Sequence, residues 1–415
     1  LLRPWIIRHN KGDLWAGTAI VRRERMEGAK ILHDSGNGGL DIPAEQIMPF
    51  FLAARSAADA GKDTLGEALS SSYEAFRNTR KNRIAEKDDV AKDQLQTLTH
   101  ASWYLNEFDH ALERVSGQAH PKISATVSRV VDLWEQGEKV LVFAFYRQTC
   151  RSLRIHISAE MERRAITHAR RRLAGAGKPA DDQTIENLIR RIQERYFNLR
   201  NPEAQALDRA LTNIMQPYAD KLSKHQVDLD DIKRVMRRFL RVRTTLVRAF
   251  PIHKFRDIEP HLAVRSMLDS EDKSNVSWRN KFKAFLSFLI DECAPKERTD
   301  YIQAAKQTQT GRIRVQRGEQ AADAGDSDQD EIALTLANIQ VATGTTKHEA
   351  RSRLMLAFNT PFFPDVLVCS RVMGEGVDLH RYCRHVIHHD LDWNPSDIEQ
   401  RTGRIDRLGC KAEGK

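Results

Sequence analysis

Residues 139–145 read KVLVFAF, a continuous apolar run of strand length. A strand with no polar alternation is covered on both faces, as strands of parallel sheets flanked by helices are. A helical pattern precedes it: His120-Pro121 opens a stripe of Ile123, Val127, Val130, Val131 and Trp134, which Gly137 stops. Three more strand-length runs lie far downstream, at Ile339–Ala342, Asp365–Ser370 (DVLVCS) and His385–His389 (HVIHH). An amphipathic helix over Lys347–Phe358 falls between the first two of these three. Alternation of this kind predicts an α/β lobe, a doubly wound parallel sheet with flanking helices.

Residues 151–337 separate two strands of that one sheet, whereas ordinary connections run to roughly 4–6 residues. The segment is therefore expected to be an inserted domain. It reads helical and arginine-rich, as in ARRRLAG, NLIRRIQERYF and DIKRVMRRFLRVRTTLVRAF. Between Asp231 and Phe250, Ile232, Val235, Met236, Phe239, Val242 and Leu246 make an apolar stripe, while Arg234, Arg237, Arg238, Arg241 and Arg248 crowd the other side. Such a helix either packs on its neighbours with a solvated face or tracks phosphates. Near the end of the insertion, GEQAADAGDSDQDE (Gly318–Glu331) reads as a flexible tether. Upstream, residues 43–114 show helical spacing, with Ile47, Phe50, Phe51, Ala54 and Ala58 on one stripe.

The 415 residues allow two or three domains, and 40% hydrophobic with 30% charged content describes a soluble globular chain. The 66 Lys and Arg against 57 Asp and Glu give +9, compatible with a polyanionic partner. No apolar run approaches the roughly 18–20 residues that span a bilayer, so no membrane partner is expected. The opening LLRPWIIRHN has neither the features of a signal peptide nor an initiator Met, so a fragment of a longer protein is expected. Five cysteines, odd in number and without a CxxC pair, fit a reducing cytosol better than a disulfide framework or zinc knuckle. The run from His380 to His389 is rich in His and Cys, but strand alternation scatters these groups, and no metal site is expected.

The C-terminal 75 residues carry the chemistry. DVLVCS ends in Ser370, and the following turn holds Gly374, Gly376 and Asp378. Ligands of open α/β sheets bind at the carboxyl ends of such strands, where glycines admit close backbone approach. Beyond the next strand comes QRTGRIDRLG, with Gln400, Gly403, Arg404 and Arg407. Arginine is always charged and its planar fork fits phosphate oxygens. The other use for these arginines is a surface ion-pair network with Asp397, Glu399 and Asp406.

In order and wording these segments resemble the second RecA-like lobe of superfamily 2 helicases, most of all the Swi/Snf-related double-stranded DNA translocases. KVLVFAFYRQT resembles that family's motif IV, VMGEGVDLH its motif V and QRTGRIDRLG its motif VI, QxxGRxxR. ATG followed by Arg351 and Phe358, and the WNP before motif VI, also fit. The resemblance implies a RecA-like lobe over 119–150 and 338–410, with the close of a first lobe and a helical linker region in 1–118. It implies ATP with Mg2+ bound mainly by a first lobe, and Arg404 and Arg407 reaching the γ-phosphate as fingers. Gln400 would order the cleft, with Gly374, Gly376, Asp378 and Gly403 lining or coupling it. The DNA backbone would be touched by Tyr146, Arg147, Thr149, Gly344, Thr345, Arg351, Ser370 and Arg371. Arg351 could instead cap its own helix through Glu349 or a C-terminal carbonyl.

GxxxxGK[ST] occurs nowhere in the 415 residues. FLSFLIDECA (Phe285–Ala294) imitates an acidic metal-binding strand, yet Phe282, Phe285, Leu286, Leu289 and Ile290 keep helical spacing. The expected function is thus the C-terminal lobe of an ATP-driven double-stranded DNA translocase, inactive without a P-loop lobe of the same protein. A protein partner could meet the insertion. The alternative is a non-catalytic nucleic-acid or protein docking module built on a degenerate helicase lobe.

Overall fold

A computed structural model describes residues 14–15, 18–19, 44–59, 63–87, 95–114, 119–273, 275–316, 332–370, 378–392 and 394–406. Two short strands, β1 (Leu14–Trp15) and β2 (Thr18–Ala19), pair antiparallel and precede four helices: α1 (Ala44–Asp59), α2 (Asp63–Ser71), α3 (Tyr73–Lys87) and α4 (Leu95–Arg114). Leu52, Ala53, Leu69, Tyr73, Phe76 and Phe108 form their own small core.

The lobe begins with α5 (Pro121–Glu135), which His120 caps by accepting the Lys122 N–H on Nδ1 at 3.2 Å. It leads into β3 (Lys139–Phe143), all five residues of which are buried. Together with β6 (Ile339–Ala342), β7 (Val366–Cys369) and β8 (Cys383–His388), β3 makes a wholly parallel sheet in the order β6-β7-β3-β8. Alternate residues serve opposite layers, as strand geometry requires. Val140 and Val142 join α5 and a long helix, α6 (Arg147–Gly175), on one face. Leu141 and Phe143 meet Phe358 of α15 (His348–Phe358), Leu379 and Ile405 on the other. The α/β expectation from KVLVFAF is met.

The expected cut at residue 150 falls inside α6. Cys150, Leu153, Ile157 and Met161 of its first half pack on the sheet, whereas Ala165, Ala169 and Leu173 of its second half enter the core of the insertion. One continuous helix therefore joins the two bodies. Between α6 and α15 come α7 (Asp182–Phe197), α8 (Pro202–Met215), α9 (Ala219–Lys224), α10 (Leu229–Leu240), α11 (Arg243–Ala249), α12 (Pro260–Leu268), α13 (Trp278–Asp291) and α14 (Pro295–Gln307). An antiparallel pair, β4 (Arg312–Gln316) and β5 (Ile332–Leu336), then leads back to the sheet. FLSFLIDECA is helical, in α13. The acidic tether lies outside the described residues.

The stripe of the 231–250 stretch is buried as its spacing predicts, but the helix breaks at Val242, whose φ of −65° and ψ of 136° are extended. Three of its arginines point inward. Arg237 pairs with Asp208, and Arg238 donates to the carbonyls of Lys306 and Ala305 at 2.8 and 2.7 Å, completing the end of α14. Arg248 lies 4.3 Å over the Trp134 ring and donates to the Trp134 carbonyl at 3.1 Å. Arg234 and Arg241 face solvent.

Further ties bind insertion to lobe. Phe362 and Phe363, in the loop between α15 and β7, enter the insertion core against Phe239, with ring centroids 5.6 and 4.7 Å away. Lys139 Nζ donates to the carbonyls of Phe358, Phe362 and Pro364 and so fixes that loop to the first residue of β3. Gly137 has φ of 85°, and a Cβ there would sit 2.5 Å from Asp272 Cβ of the insertion, so only glycine fits. A guanidinium removed from its stacked, hydrogen-bonded position over an indole costs about 2–3 kcal/mol. Arg248→Ala should lower the unfolding free energy by that amount in denaturant titration; an unchanged midpoint would show that the weld carries no stability.

The helices before the lobe dock through a buried polar network. Asp390, just past β8, accepts Ser71 Oγ and the Phe145 N–H on Oδ2, each at 2.8 Å, and Lys122 Nζ on Oδ1 at 2.8 Å. His389 Nδ1 meets Thr126 Oγ1 at 2.8 Å, and Nε2 meets the Ser71 carbonyl at 3.0 Å. A carbonyl only accepts, so Nε2 carries the proton. Burial, above all, holds His120 down at about 3 and His389 at about 4. Burial pushes the Asp390 carboxyl up, but His389, Lys122 and the Phe145 N–H outweigh it and leave the group below the usual carboxylate range.

Both imidazoles are depressed on folding, so the unfolded chain holds the extra protons below pH ~6.5. Their stabilisation is complete above that value and is lost as pH falls toward 4, the Asp390 share following at lower pH. Unfolding free energy should drop by up to about 1.4 kcal/mol per pH unit for each histidine across this window. His389→Gln should flatten the slope; a slope equal to the parent's would remove His389 from the account.

Candidate nucleotide and nucleic-acid face

Parallel pairing in this register sets the carboxyl ends of β3, β6, β7 and β8 along one edge. Phe143 is opposite Cys369 and His388, and Ala342 is opposite Cys369. The segments that follow these strands therefore share that edge: Phe145–Arg147, Thr343–Thr346, Ser370 and His389–Asp392.

Not all of the expected contact residues are open to a ligand. Arg147, Gly344, Thr345 and Gln400 are exposed, and Tyr146, Arg351 and Asp378 are partly so. The Tyr146 ring packs edge-on against Phe145 with centroids 5.0 Å apart, and burial raises its hydroxyl pKa. Thr149, expected on DNA, is fully buried, and its hydroxyl meets Ser71 and Ser72 Oγ at 2.7 and 3.0 Å. It holds the preceding helices to α6, and a phosphate cannot reach it in this arrangement. Ser370, expected to offer its hydroxyl to a phosphate, is 4% exposed. Arg351 braces the turn before its helix: Nη2 donates to the Thr346 carbonyl at 3.1 Å, not to Glu349. Thr343 and Thr346 tie the same turn, with the Thr343 N–H on Thr346 Oγ1 at 3.0 Å and the Thr343 and Thr345 hydroxyls 2.9 Å apart. Arg371, Gly374, Gly376 and Arg407 lie outside the described residues.

The motif VI segment opens with α16 (Pro395–Thr402), capped by Asn394, which accepts the Ser396 N–H at 3.1 Å. Gly403 follows where a Cβ would crowd the Glu399 carbonyl at 3.2 Å. Arg404 is then folded into the lobe at 9% exposure, and its carbonyl accepts the Leu379 N–H at 2.9 Å. Ile405 fills the sheet core beside Leu379. The arginine expected on an open face is thus tucked in by the apolar anchor that follows it.

Several functional-looking groups had no assigned role in the sequence. Arg401 and Asp392 form an ion pair at 2.8 Å with side-chain exposures of 7% and 4%, and the Arg401 guanidinium lies 5.3 Å over Phe143. His388 stacks on that same ring at 6.0 Å. Asn359 Nδ2 donates to the Asp378 carbonyl, linking α15 to the motif V segment. The signal for Asp390 was available: a carboxylate directly after an apolar strand sits at the ligand edge of a parallel sheet. Cys150, Cys293, Cys369 and Cys383 are buried free thiols, and burial raises the pKa of Cys150, Cys293 and Cys369.

Comparison with known proteins agrees with this geometry. Residues 316–409 match the family described as helicase conserved C-terminal domain. An uncharacterized ATP-dependent helicase, YqhH of Bacillus subtilis (strain 168), is 52% identical over 44 residues, 11% of this chain and 8% of that protein. The RNA polymerase-associated protein RapA of Pseudomonas fluorescens is 25% identical over 170 residues, 39% of this chain and 15% of that protein. The chain thus spans less than a sixth of either relative. No solved structure gives a significant match. Among the described residues no helix is long and apolar enough to cross a membrane. The motif order, the four-stranded parallel sheet and the domain match over residues 316–409 together identify a superfamily 2 helicase C-terminal lobe in this chain.

Proposed function

We propose that this lobe is the second half of an ATP-driven translocase on double-stranded DNA. The observation that carries it is the common edge formed by the strand ends that precede the motif IV, Gly-Thr and motif V segments, with Arg147, Gly344 and Thr345 exposed beyond them, and with the motif VI helix tied to the end of β8 through Arg401 and Asp392. Such an edge can receive a nucleotide from a facing lobe on one side and a phosphate backbone on another. Contacts from Tyr146, Arg147, Gly344 and Thr345 would position duplex without reading its sequence. Arg371 completes that set in the proposal.

The triphosphate itself needs a P-loop, which these 415 residues do not contain. ATP and Mg2+ are therefore assigned mainly to a first RecA-like lobe. This lobe supplies Arg404 and Arg407, which neutralise charge on the migrating phosphoryl group, while Gln400, Gly403, Gly374, Gly376 and Asp378 shape the cleft. Because Arg404 is 9% exposed, it must turn outward to touch a phosphate, and closure of the two lobes supplies the charge that draws it. The name of the Pseudomonas relative connects that protein with RNA polymerase. A protein partner for the insertion is the corresponding proposal here.

A guanidinium on the transferring group is worth about 10³–10⁵ in rate. In the full-length protein, Arg404→Ala and Arg407→Ala should each cut duplex-stimulated ATP hydrolysis by about 10³ or more while duplex affinity stays within about twofold. Turnover equal to the parent's would remove the finger role. The 415-residue chain alone should hydrolyse no ATP; turnover by purified material, abolished by Arg404→Ala, would show that it holds the phosphates itself.

A further inference from the structure

The turn Asp378–Tyr382 joins the motif V segment to β8 and is gripped from three directions. Asn359 holds the Asp378 carbonyl from the end of α15. The Leu379 N–H holds the Arg404 carbonyl at 2.9 Å, and the Leu379 side chain is 2% exposed in the sheet core. The third grip comes from the insertion. The Arg381 guanidinium lies 3.6 Å from the centroid of the Phe288 ring, and Nη2 donates to Glu292 Oε2 at 2.9 Å. Phe288 is itself locked, 4% exposed and edge-on to Tyr301 of α14 at 5.0 Å.

These contacts differ in strength. The Glu292 side chain is 57% exposed, so water screens its ion pair and leaves it worth little. The Arg381 side chain is 27% exposed and rests on an immobile ring, so stacking carries the contact. Nothing in the sheet requires it: β8 pairs with β3 from Lys139 onward without help from α13. Its effect falls on the turn, two residues from the Leu379–Arg404 bond.

We infer that Phe288, acting through Arg381, is a positioning residue for the joint between Asp378 and Arg404. The helical insertion thereby sets how the arginine of motif VI is presented. This rests on the proposed ATPase for its kinetic consequence, though not for the joint itself. Loss of the stacked guanidinium lets the Leu379–Arg404 bond open more often, so fewer bound nucleotides meet a correctly placed arginine, while nucleotide affinity, set by the facing lobe, does not change.

The test uses the full-length protein, ATP and a linear DNA duplex. Arg381→Ala should lower duplex-stimulated kcat about fivefold with KM for ATP unchanged, and speed hydrogen exchange at the Leu379 amide by a similar factor. Arg381→Lys, which keeps a cation over the ring, should recover most of both. Arg312→Ala, which breaks an ion pair with Glu162 of 48% and 25% exposure, is the control and should change neither. A parental kcat in Arg381→Ala, a rise in KM instead, unchanged Leu379 exchange, or an equal effect from Arg312→Ala overturns the inference. Should the parent hydrolyse no ATP, the proposed function fails, and Leu379 exchange alone decides the joint: faster in Arg381→Ala upholds it, unchanged overturns it.

Discussion

The central strand Lys139–Phe143 imposes the constraint on which the rest depends. It pairs in parallel on both edges, with β7 and β8, and none of its five residues is exposed. Parallel strands have to be connected by crossovers, and a strand buried on both faces needs a layer of helix on each side. From this follow the positions of α5, α6 and α15, and the alignment of four strand ends on one edge. The chemistry of the lobe is a consequence of register, since side chains distant in sequence are brought together only because Phe143 lies opposite both Cys369 and His388.

The positive balance of the chain has a structural use as much as an electrostatic one. Arg248 is spread over an indole, Arg238 closes a helix end, Arg172 donates to the carbonyls of Val247 and Phe250, and Arg298 donates to those of Leu289 and Cys293. A guanidinium suits this work because it spans two carbonyls in a fixed fork and sheds water more readily than an ammonium. These four guanidinium groups keep their charge, but their donors are spent on carbonyls and a ring rather than offered to a polyanion.

The sheet was legible because continuous apolar runs have few other uses, and α5 because its stripe is regular and capped by His120. Exposure was not legible. Thr149 follows a motif whose neighbours face ligand, yet its partner Ser71 lies 78 residues upstream, and no local pattern announces that contact. Ser370 and Arg404 are likewise buried, at 4% and 9% exposure, although neither has a local pattern that announces it. The break at Val242 was hidden because the apolar stripe runs through it, with Phe239 and Leu246 buried on either side. The continuity of α6 across lobe and insertion was hidden too, since a helix that changes packing partner halfway keeps its period.

The loop Pro361–Pro364 binds lobe and insertion in both directions. Its two phenyl groups have no place in the lobe: they sit among Phe239, Phe282 and Phe285 of the inserted helices. A lobe shorn of those helices would present both rings to water as an adhesive patch. The loop and the inserted helices therefore depend on each other: without Phe239, Phe282 and Phe285 the two phenyl groups lose their cover, and without the phenyl groups those rings lose their filling.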